Sequence, residues 1–138
     1  MQFDDEDLND IATAVWDSLC TSIEPGPASD DAQLPRSGCV KITGAWSGHV
    51  VLDTSEASLR AIAASMFDIG PAEVAEDHLE DALAELTNMV GGNIKCLLED
   101  GESKLSLPEV SAKPEGEPEQ VAWFADPEGP VRIRVFGA

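Results

Sequence analysis

The sequence predicts an α+β fold in which helices pack on a mainly antiparallel sheet. Two segments, residues 39–54 and 121–136, alternate apolar and polar residues around a central turn, which is typical of β-hairpins. Between them, residues 77–99 carry apolar side chains at three- to four-residue steps, which indicates an amphipathic helix. This order excludes a doubly wound nucleotide-binding fold, and the chain has no phosphate-binding glycine loop.

The N-terminal half supplies a helix, a loop and the first hairpin. Apolar residues recur helically over residues 6–24. Prolines and glycines in residues 25–35 end that helix, so we expect a mobile loop there. Strands 39–46 and 49–54 then flank a turn at Ser47-Gly48.

Two further helices follow the first hairpin. Asp53 with Glu56 has the spacing of an N-terminal cap, so we expect a helix over residues 54–68. Gly70-Pro71 breaks it, and residues 72–76 fit a short helical turn. Asp77 with Glu80 forms a second capping pattern and predicts the start of the central helix.

The C-terminal third reads as three strands. Residues 104–112 contain a proline, which favours a sheet edge or a bulge. Strands 121–125 and 131–136 form the second hairpin, in which Arg132 and Arg134 lie on a solvated face. The predicted order is α-β-β-α-α-β-β-β, within one domain that spans residues 1–138.

Composition limits the partners and the location. The net charge is −19, from 27 acidic and 8 basic residues. Because nucleic acids and anionic membranes repel such a surface, we expect neither as a partner. No apolar run approaches the roughly 18 residues of a membrane span. The acidic N-terminus also differs from a signal peptide, so we expect a cytoplasmic protein.

The sequence gives no indication of a metal site or of a nucleophile with its base. Cys20, Cys39 and Cys96 are an odd number without a C-x-x-C pair, which argues against both a disulfide framework and a zinc site. His49 and His78 have no helically spaced His or Cys companion, and we interpret both as structural or exposed. We therefore expect no metal of its own.

The central helix has an unusual open face. On a helical wheel, one stripe is apolar and the opposite side collects small or polar residues, namely Asp81, Glu85, Asn88, Gly92, Lys95 and Glu99. Gly91 and Gly92 lie inside the helix, where each costs about 1 kcal/mol relative to alanine. Bare backbone next to polar side chains lets another molecule approach closely. The stretch therefore predicts a docking surface.

The stretch DALAELTNMVGGNIK, residues 81–95, resembles the CheC/CheX/FliY family of phosphatases, which dephosphorylate the chemotaxis response regulator CheY. VKITGAWSGHVVL upstream (40–52) and SLPEV downstream (106–110) support the resemblance. A second Glu-x-x-Asn spacing, Glu6 to Asn9, lacks the glycines and reads as solvated surface. With one such motif in context, the chain is similar to CheX rather than to the two-motif members.

The resemblance implies a function and two catalytic residues. Asn88 would orient a water for in-line attack on the aspartyl phosphate of a receiver domain, and Glu85 would pair with the receiver's lysine. Magnesium would belong to the receiver, so the chain would need no cofactor of its own. Members of the family can also pair through sheet edges, which makes a homodimer through strand 131–136 an expectation.

Each flanking residue has a structural alternative. Asp81, Gly92 and Lys95 fit partner docking, but Asp81 and Lys95 are equally compatible with plain helix surface. Gly91 and Gly92 fit either close approach of a partner or tight packing within the fold. Asn93 lies near the apolar stripe, where we expect a structural hydrogen bond.

Two other functions stay open at this point. The same helix could bind a receiver or another signalling protein without accelerating hydrolysis, as a non-catalytic interaction module. Alternatively, the chain could be an unrelated α+β protein in which Glu85 and Asn88 are ordinary surface. Turnover of a phosphorylated receiver discriminates among the three.

Overall fold

The computed structural model describes residues 4–19, 21–28, 33–44, 46–98, 102–110 and 114–137. Three α-helices and a short 3-10 turn accompany one sheet. The helices are α1 Asp5–Ser18, α2 Glu56–Phe67 and α3 Glu76–Leu97, and the turn is Pro71–Glu73. The strands are β1 Glu24–Pro25, β2 Arg36–Thr43, β3 Gly48–Thr54, β4 Lys104–Leu105, β5 Glu109–Val110, β6 Gln120–Asp126 and β7 Gly129–Gly137.

The sheet runs in the order β1-β6-β7-β3-β2-β4, with β5 also paired to β2, and its ladders are antiparallel. Both predicted hairpins are present, as β2–β3 and β6–β7. Alternate strand residues such as Val50, Leu52 and Ile133 join the helices in the main core. The opposite sheet face holds a smaller apolar cluster of Cys39, Val51 and Phe136. The predicted α+β fold is confirmed.

Helix α3 packs through its apolar stripe on the side of the sheet formed by β3, β2 and the short edge strands β4 and β5. Five of the six predicted stripe residues are buried, namely Leu79, Leu83, Leu86, Val90 and Ile94. The exception is Leu97, which is 38% exposed, while Leu98 is buried in its place. Leu98, the C-cap, still has right-handed helical backbone angles and lies four residues after Ile94, so the buried stripe continues to residue 98 instead of residue 97.

The first helix is shorter than predicted. Helix α1 ends at Ser18, and strand β1 begins at Glu24. Glu24 and Pro25 pair with Ala125 and Phe124, so the predicted helix end at 24 and loop start at 25 are both wrong. Tertiary pairing with β6 overrides the local apolar period here. Residues 29–32 of the expected mobile loop lie outside the described residues.

The cap of helix α2 is Ser55 and not the predicted Asp53. Ser55, not Asp53, accepts a hydrogen bond from the backbone of Ser58 and caps the helix. Asp53 is fully buried in β3 and forms ion pairs with Arg132 and Arg134 on the neighbouring strand β7. The two arginines are consequently half-buried rather than freely solvated.

Strand β7 is not an edge. It pairs along its length with β3 on one side and with β6 on the other, so the predicted dimer contact through strand 131–136 is wrong. A strand whose backbone groups are paired on both sides has none left for a second chain. The homodimer itself stays a prediction.

Polar contacts fix the start of α3. Arg36, at the beginning of β2, forms ion pairs with Glu56 of α2 and Glu76 of α3. These hydrogen bonds from Arg36 hold the pKa of both carboxyl groups below the usual range. The helix starts one residue before the predicted Asp77, and His78 Nδ1 accepts the backbone N–H of Ala75. His78 is thus structural, as predicted.

None of the described helices combines the length and the apolar character needed to cross a membrane.

Candidate functional site

Glu85 and Asn88 lie one turn apart on the open face of α3. Glu85 is exposed and Asn88 is half-buried. Both border a shallow groove of about 360 Å³. The residues that line this groove, called the α3 groove below, are Asp81, Ala84, Glu85, Asn88, Leu107 and Pro108. The fold therefore places three predicted site residues, Asp81, Glu85 and Asn88, along one side of an open cleft.

The polar groups of the pair are available to a partner. Among the described residues, the side-chain hydrogen bonds within α3 from residue 81 onward are made by Thr87, to Leu83 O, and Asn93, to Met89 O, both at 2.7 Å. Glu85 and Asn88 form no hydrogen bond or ion pair within this described part of the chain. The Asn93 contact confirms its predicted structural role. An unpaired carboxylate beside an unpaired amide can bind a cation and a water at the same time.

The edge of the sheet builds the second wall of the groove. Strand β4 pairs Leu105 with Ile42, and β5 pairs Glu109 with Cys39. The edge thus advances four residues while β2 advances three, which is the definition of a β-bulge. The bulge contains Pro108, which has no N–H to donate to a ladder. The sequence left a sheet edge and a bulge as alternatives for this segment, and the structure shows both.

The two helix glycines have different surroundings. A Cβ at Gly91 would lie 2.5 Å from Val40 Cγ2 and 3.2 Å from Leu105 Cδ1. A Cβ at Gly92 would meet nothing within 4 Å. Gly91 therefore serves close packing of α3 on β2, and only Gly92 leaves bare backbone toward the outside. Packing within the fold thus accounts for Gly91, and close approach of a partner at Gly92 stays a prediction.

Gly92 and Lys95 are not part of the groove wall. They lie one and two turns beyond Asn88 on the same side of the helix, and both are half-buried. Glu99 lies outside the described residues. On α1, Glu6 is exposed and Asn9 half-buried, and neither lines the groove. One Glu-x-x-Asn pair faces this cleft.

Leu107 is the groove residue that sequence reasoning missed. A leucine between a serine and a proline shows no apolar period, so the sequence marks Leu107 only as part of the SLPEV segment that resembles the family. Its role in the groove is visible only in the three-dimensional structure, where the Leu107 side chain is 86% exposed and lines the groove with Glu85 and Asn88.

Other reactive side chains lie elsewhere. In the described ranges, no group of three or more His, Cys, Asp or Glu side chains could hold a metal ion. Cys39 and Cys96 are free, the first buried and the second exposed, and burial raises the pKa of the Cys39 thiol. Cys20 lies outside the described residues.

A family model described as chemotaxis phosphatase CheX matches residues 36–122, which is more than half of the chain. The chain belongs to the CheX family. The matched range includes the first hairpin, α3 and the bulged edge, so it contains every residue of the α3 groove. Among curated protein sequences, none matches the chain.

Solved CheX structures share the fold. CheX from Desulfovibrio desulfuricans superposes with a TM-score of 0.76 at 17% identity, covering 96% of this chain and 97% of that one. CheX from Vibrio vulnificus superposes with a TM-score of 0.73 at 21% sequence identity, covering 95% of each chain. CheX from Borrelia burgdorferi was crystallised as a CheX-CheY-BeF3-Mg2+ complex. It superposes with a TM-score of 0.66 at 18% sequence identity, covering 95% of this chain and 96% of that one. At these identities the likeness establishes a CheX fold over nearly the whole chain.

Proposed function

We propose that this CheX-family protein hydrolyses the aspartyl phosphate of a CheY-like receiver domain, with Asn88 orienting the attacking water and Glu85 binding the receiver's lysine. One observation carries the proposal: Glu85 and Asn88 lie one turn apart in an open groove, and neither has a hydrogen-bond or ion-pair partner among the described residues. Membership of the chemotaxis phosphatase family and the CheX-CheY complex from Borrelia burgdorferi support the same partner class. We expect the reaction to take place in the cytoplasm.

Asn88 suits the role of a water-positioning group. Its amide carries one acceptor and two donors, so it can hold a water while donating to a phosphoryl oxygen. Because the amide is neutral, it does not repel the phosphoryl group as a second carboxylate would. Phosphoryl transfer depends mainly on alignment and charge neutralisation, and an acyl phosphate is already reactive.

The proposed reaction is a simple hydrolysis. The water oxygen forms a bond to phosphorus while the bond from phosphorus to the aspartyl oxygen breaks. The electron pair of that bond stays on the receiver carboxylate, and the water proton leaves with the phosphate or passes to solvent. Mg2+ bound by the receiver would neutralise charge on the phosphoryl oxygens.

Glu85 would fix the register of the two proteins. Its side chain is exposed on the same helix face, one turn before Asn88. A charge-assisted hydrogen bond to a lysine ammonium is stronger than a neutral one and needs a close fit. With Glu85 held in this way, the spacing along α3 determines where the Asn88 amide lies relative to phosphorus.

The test compares Asn88→Ala with Asn93→Ala. Receiver domains of the same organism are phosphorylated with a small acyl phosphate, and release of phosphate is followed. We expect Asn88→Ala to lower kcat by at least about 100-fold, the scale of losing one positioned catalytic group. Asn93→Ala removes an amide that binds Met89 O outside the groove, so the wild-type rate should persist.

Two results would contradict the proposal. If Asn88→Ala keeps a kcat within threefold of the wild type, the amide does not act in the reaction. If the wild-type chain binds a phosphorylated receiver without accelerating its decay, the protein is a non-catalytic interaction module. Thermal melting of both variants shows that each is folded.

A further inference from the structure

We propose that Leu107 is a specificity-determining contact that docks an apolar pocket on the rim of the receiver's phosphoaspartate site. The inference rests on the proposed function and adds a third docking group to the same groove. It commits to one occupant, the receiver domain whose phosphorylated aspartate reaches Asn88.

Exposure sets Leu107 apart from other large apolar residues. It is 86% exposed, whereas the other exposed ones in the described part of the chain, Phe67, Leu97 and Val121, are each 38% exposed. Leu107 also lines the wall of the α3 groove opposite Glu85 and Asn88. A protein that brings a phosphoaspartate to Asn88 must therefore pass against the Leu107 side chain.

The segment holds Leu107 in place before any partner arrives. Ser106 donates its backbone N–H to Lys41 O and accepts the Lys41 N–H on its hydroxyl, both at 2.9 Å. The same hydroxyl contacts Leu107 O at 3.1 Å. On the other side, Pro108 restricts the backbone and β5 resumes pairing with Cys39. A backbone fixed in this way loses little conformational entropy on binding.

Charge makes an apolar contact necessary. The chain carries a net charge of −19, and the groove wall adds Asp81 next to Glu85. A receiver site is itself rich in carboxylates, so long-range electrostatics oppose the encounter. Affinity must then come from short-range contacts, and removal of the exposed Leu107 side chain from water is the largest apolar contact that the groove offers.

The experiment measures the dependence of dephosphorylation on receiver concentration. The variants are Leu107→Ser, Leu107→Gln and Leu107→Met, with Leu97→Ser as the matched control. Leu97 is an exposed leucine on α3 that does not line the groove. We expect Leu107→Ser and Leu107→Gln to raise KM about tenfold, equivalent to about 1.4 kcal/mol, with kcat within twofold. Leu107→Met, which keeps the apolar volume, should retain the wild-type KM within threefold, and Leu97→Ser should leave both constants unchanged.

The outcomes separate this inference from the proposed function. A wild-type chain that does not accelerate hydrolysis contradicts the proposed function, and the inference falls with it. A wild-type chain that is active, with KM unchanged in both polar variants, overturns the inference alone. A fall in kcat at constant KM also overturns it, because Leu107 would then act on chemistry rather than docking. Because two different polar substitutions are compared, misfolding of one variant does not decide the result. Circular dichroism shows whether each variant is folded.

Discussion

Two carboxylates, Asp53 on strand β3 and Glu85 on helix α3, are used in opposite ways. Asp53 is fully buried on the sheet face away from the helices. It accepts a hydrogen bond from Ser37 at 2.6 Å, and Arg132 and Arg134 each donate to it at 2.8 Å. Glu85 is exposed and, within the described residues, forms no ion pair. Asp53 thus has its hydrogen-bond and ion-pair partners within the fold, whereas the Glu85 carboxylate has none among the described residues.

The comparison shows that this acidic chain uses arginines to stabilise a buried carboxylate and leaves the exposed Glu85 carboxylate unpaired among the described residues. With 8 basic residues against 27 acidic ones, most carboxylates cannot have an internal cation. Two of the few arginines bind the buried Asp53, where an unpaired charge would be costly. A carboxylate that stays on an open helix face costs little and can bind a cation on a partner.

The largest effect on stability should follow Asp53→Ala. The substitution leaves Arg132 and Arg134 half-buried without their partner, and loss of one member of a buried pair costs about 3 kcal/mol. We expect urea denaturation to show this loss in the free energy of unfolding. The folded fraction should keep the kcat of the proposed phosphatase reaction, because Asp53 lies on the sheet face away from α3. A loss below 1 kcal/mol would show that the ion cluster is not stabilising.

Glu85→Gln should affect binding instead. The side chain keeps its shape and loses its charge, so the proposed charge-assisted contact with the receiver's lysine, about 2 kcal/mol, would be weakened. We expect kcat/KM to fall about 30-fold, the equivalent of that free energy. The free energy of unfolding should stay within 0.5 kcal/mol of the wild type, as for an exposed surface substitution. Unchanged kinetics would exclude Glu85 from docking.

Gly91→Ala and Gly92→Ala should give smaller effects of opposite sign. At Gly91 the new methyl would overlap Val40, so overpacking outweighs the gain in helix propensity, and we expect a net loss of about 1–2 kcal/mol. At Gly92 the methyl meets no atom, so the propensity gain of up to about 1 kcal/mol should appear as stabilisation. Denaturant melts of the pair test this. Equal effects at the two positions would refute the assigned difference in packing.

The sequence predicted those parts of the site that lie on one helix. Period and composition alone placed Asp81, Glu85 and Asn88 on the open face and five of the six stripe residues in the core. A helix repeats its geometry every 3.6 residues, so neighbours three or four apart share a face wherever the helix lies. Both hairpins were predicted for the same reason, because their contacts are local.

Only tertiary structure decided what depends on contacts between distant segments. The role of Asp53 required strand β7 beside β3, and the place of Leu107 required a bulged edge beside α3. Apolar periodicity does not reveal the order of strands in a sheet. Strand 131–136 was therefore predicted as an edge, although it pairs with β6 on one side and β3 on the other. The sequence by itself determined which residues share a helix or strand face. Which faces meet depends on long-range pairing, and the physical reason is that burial and backbone hydrogen bonding are satisfied by the whole sheet together.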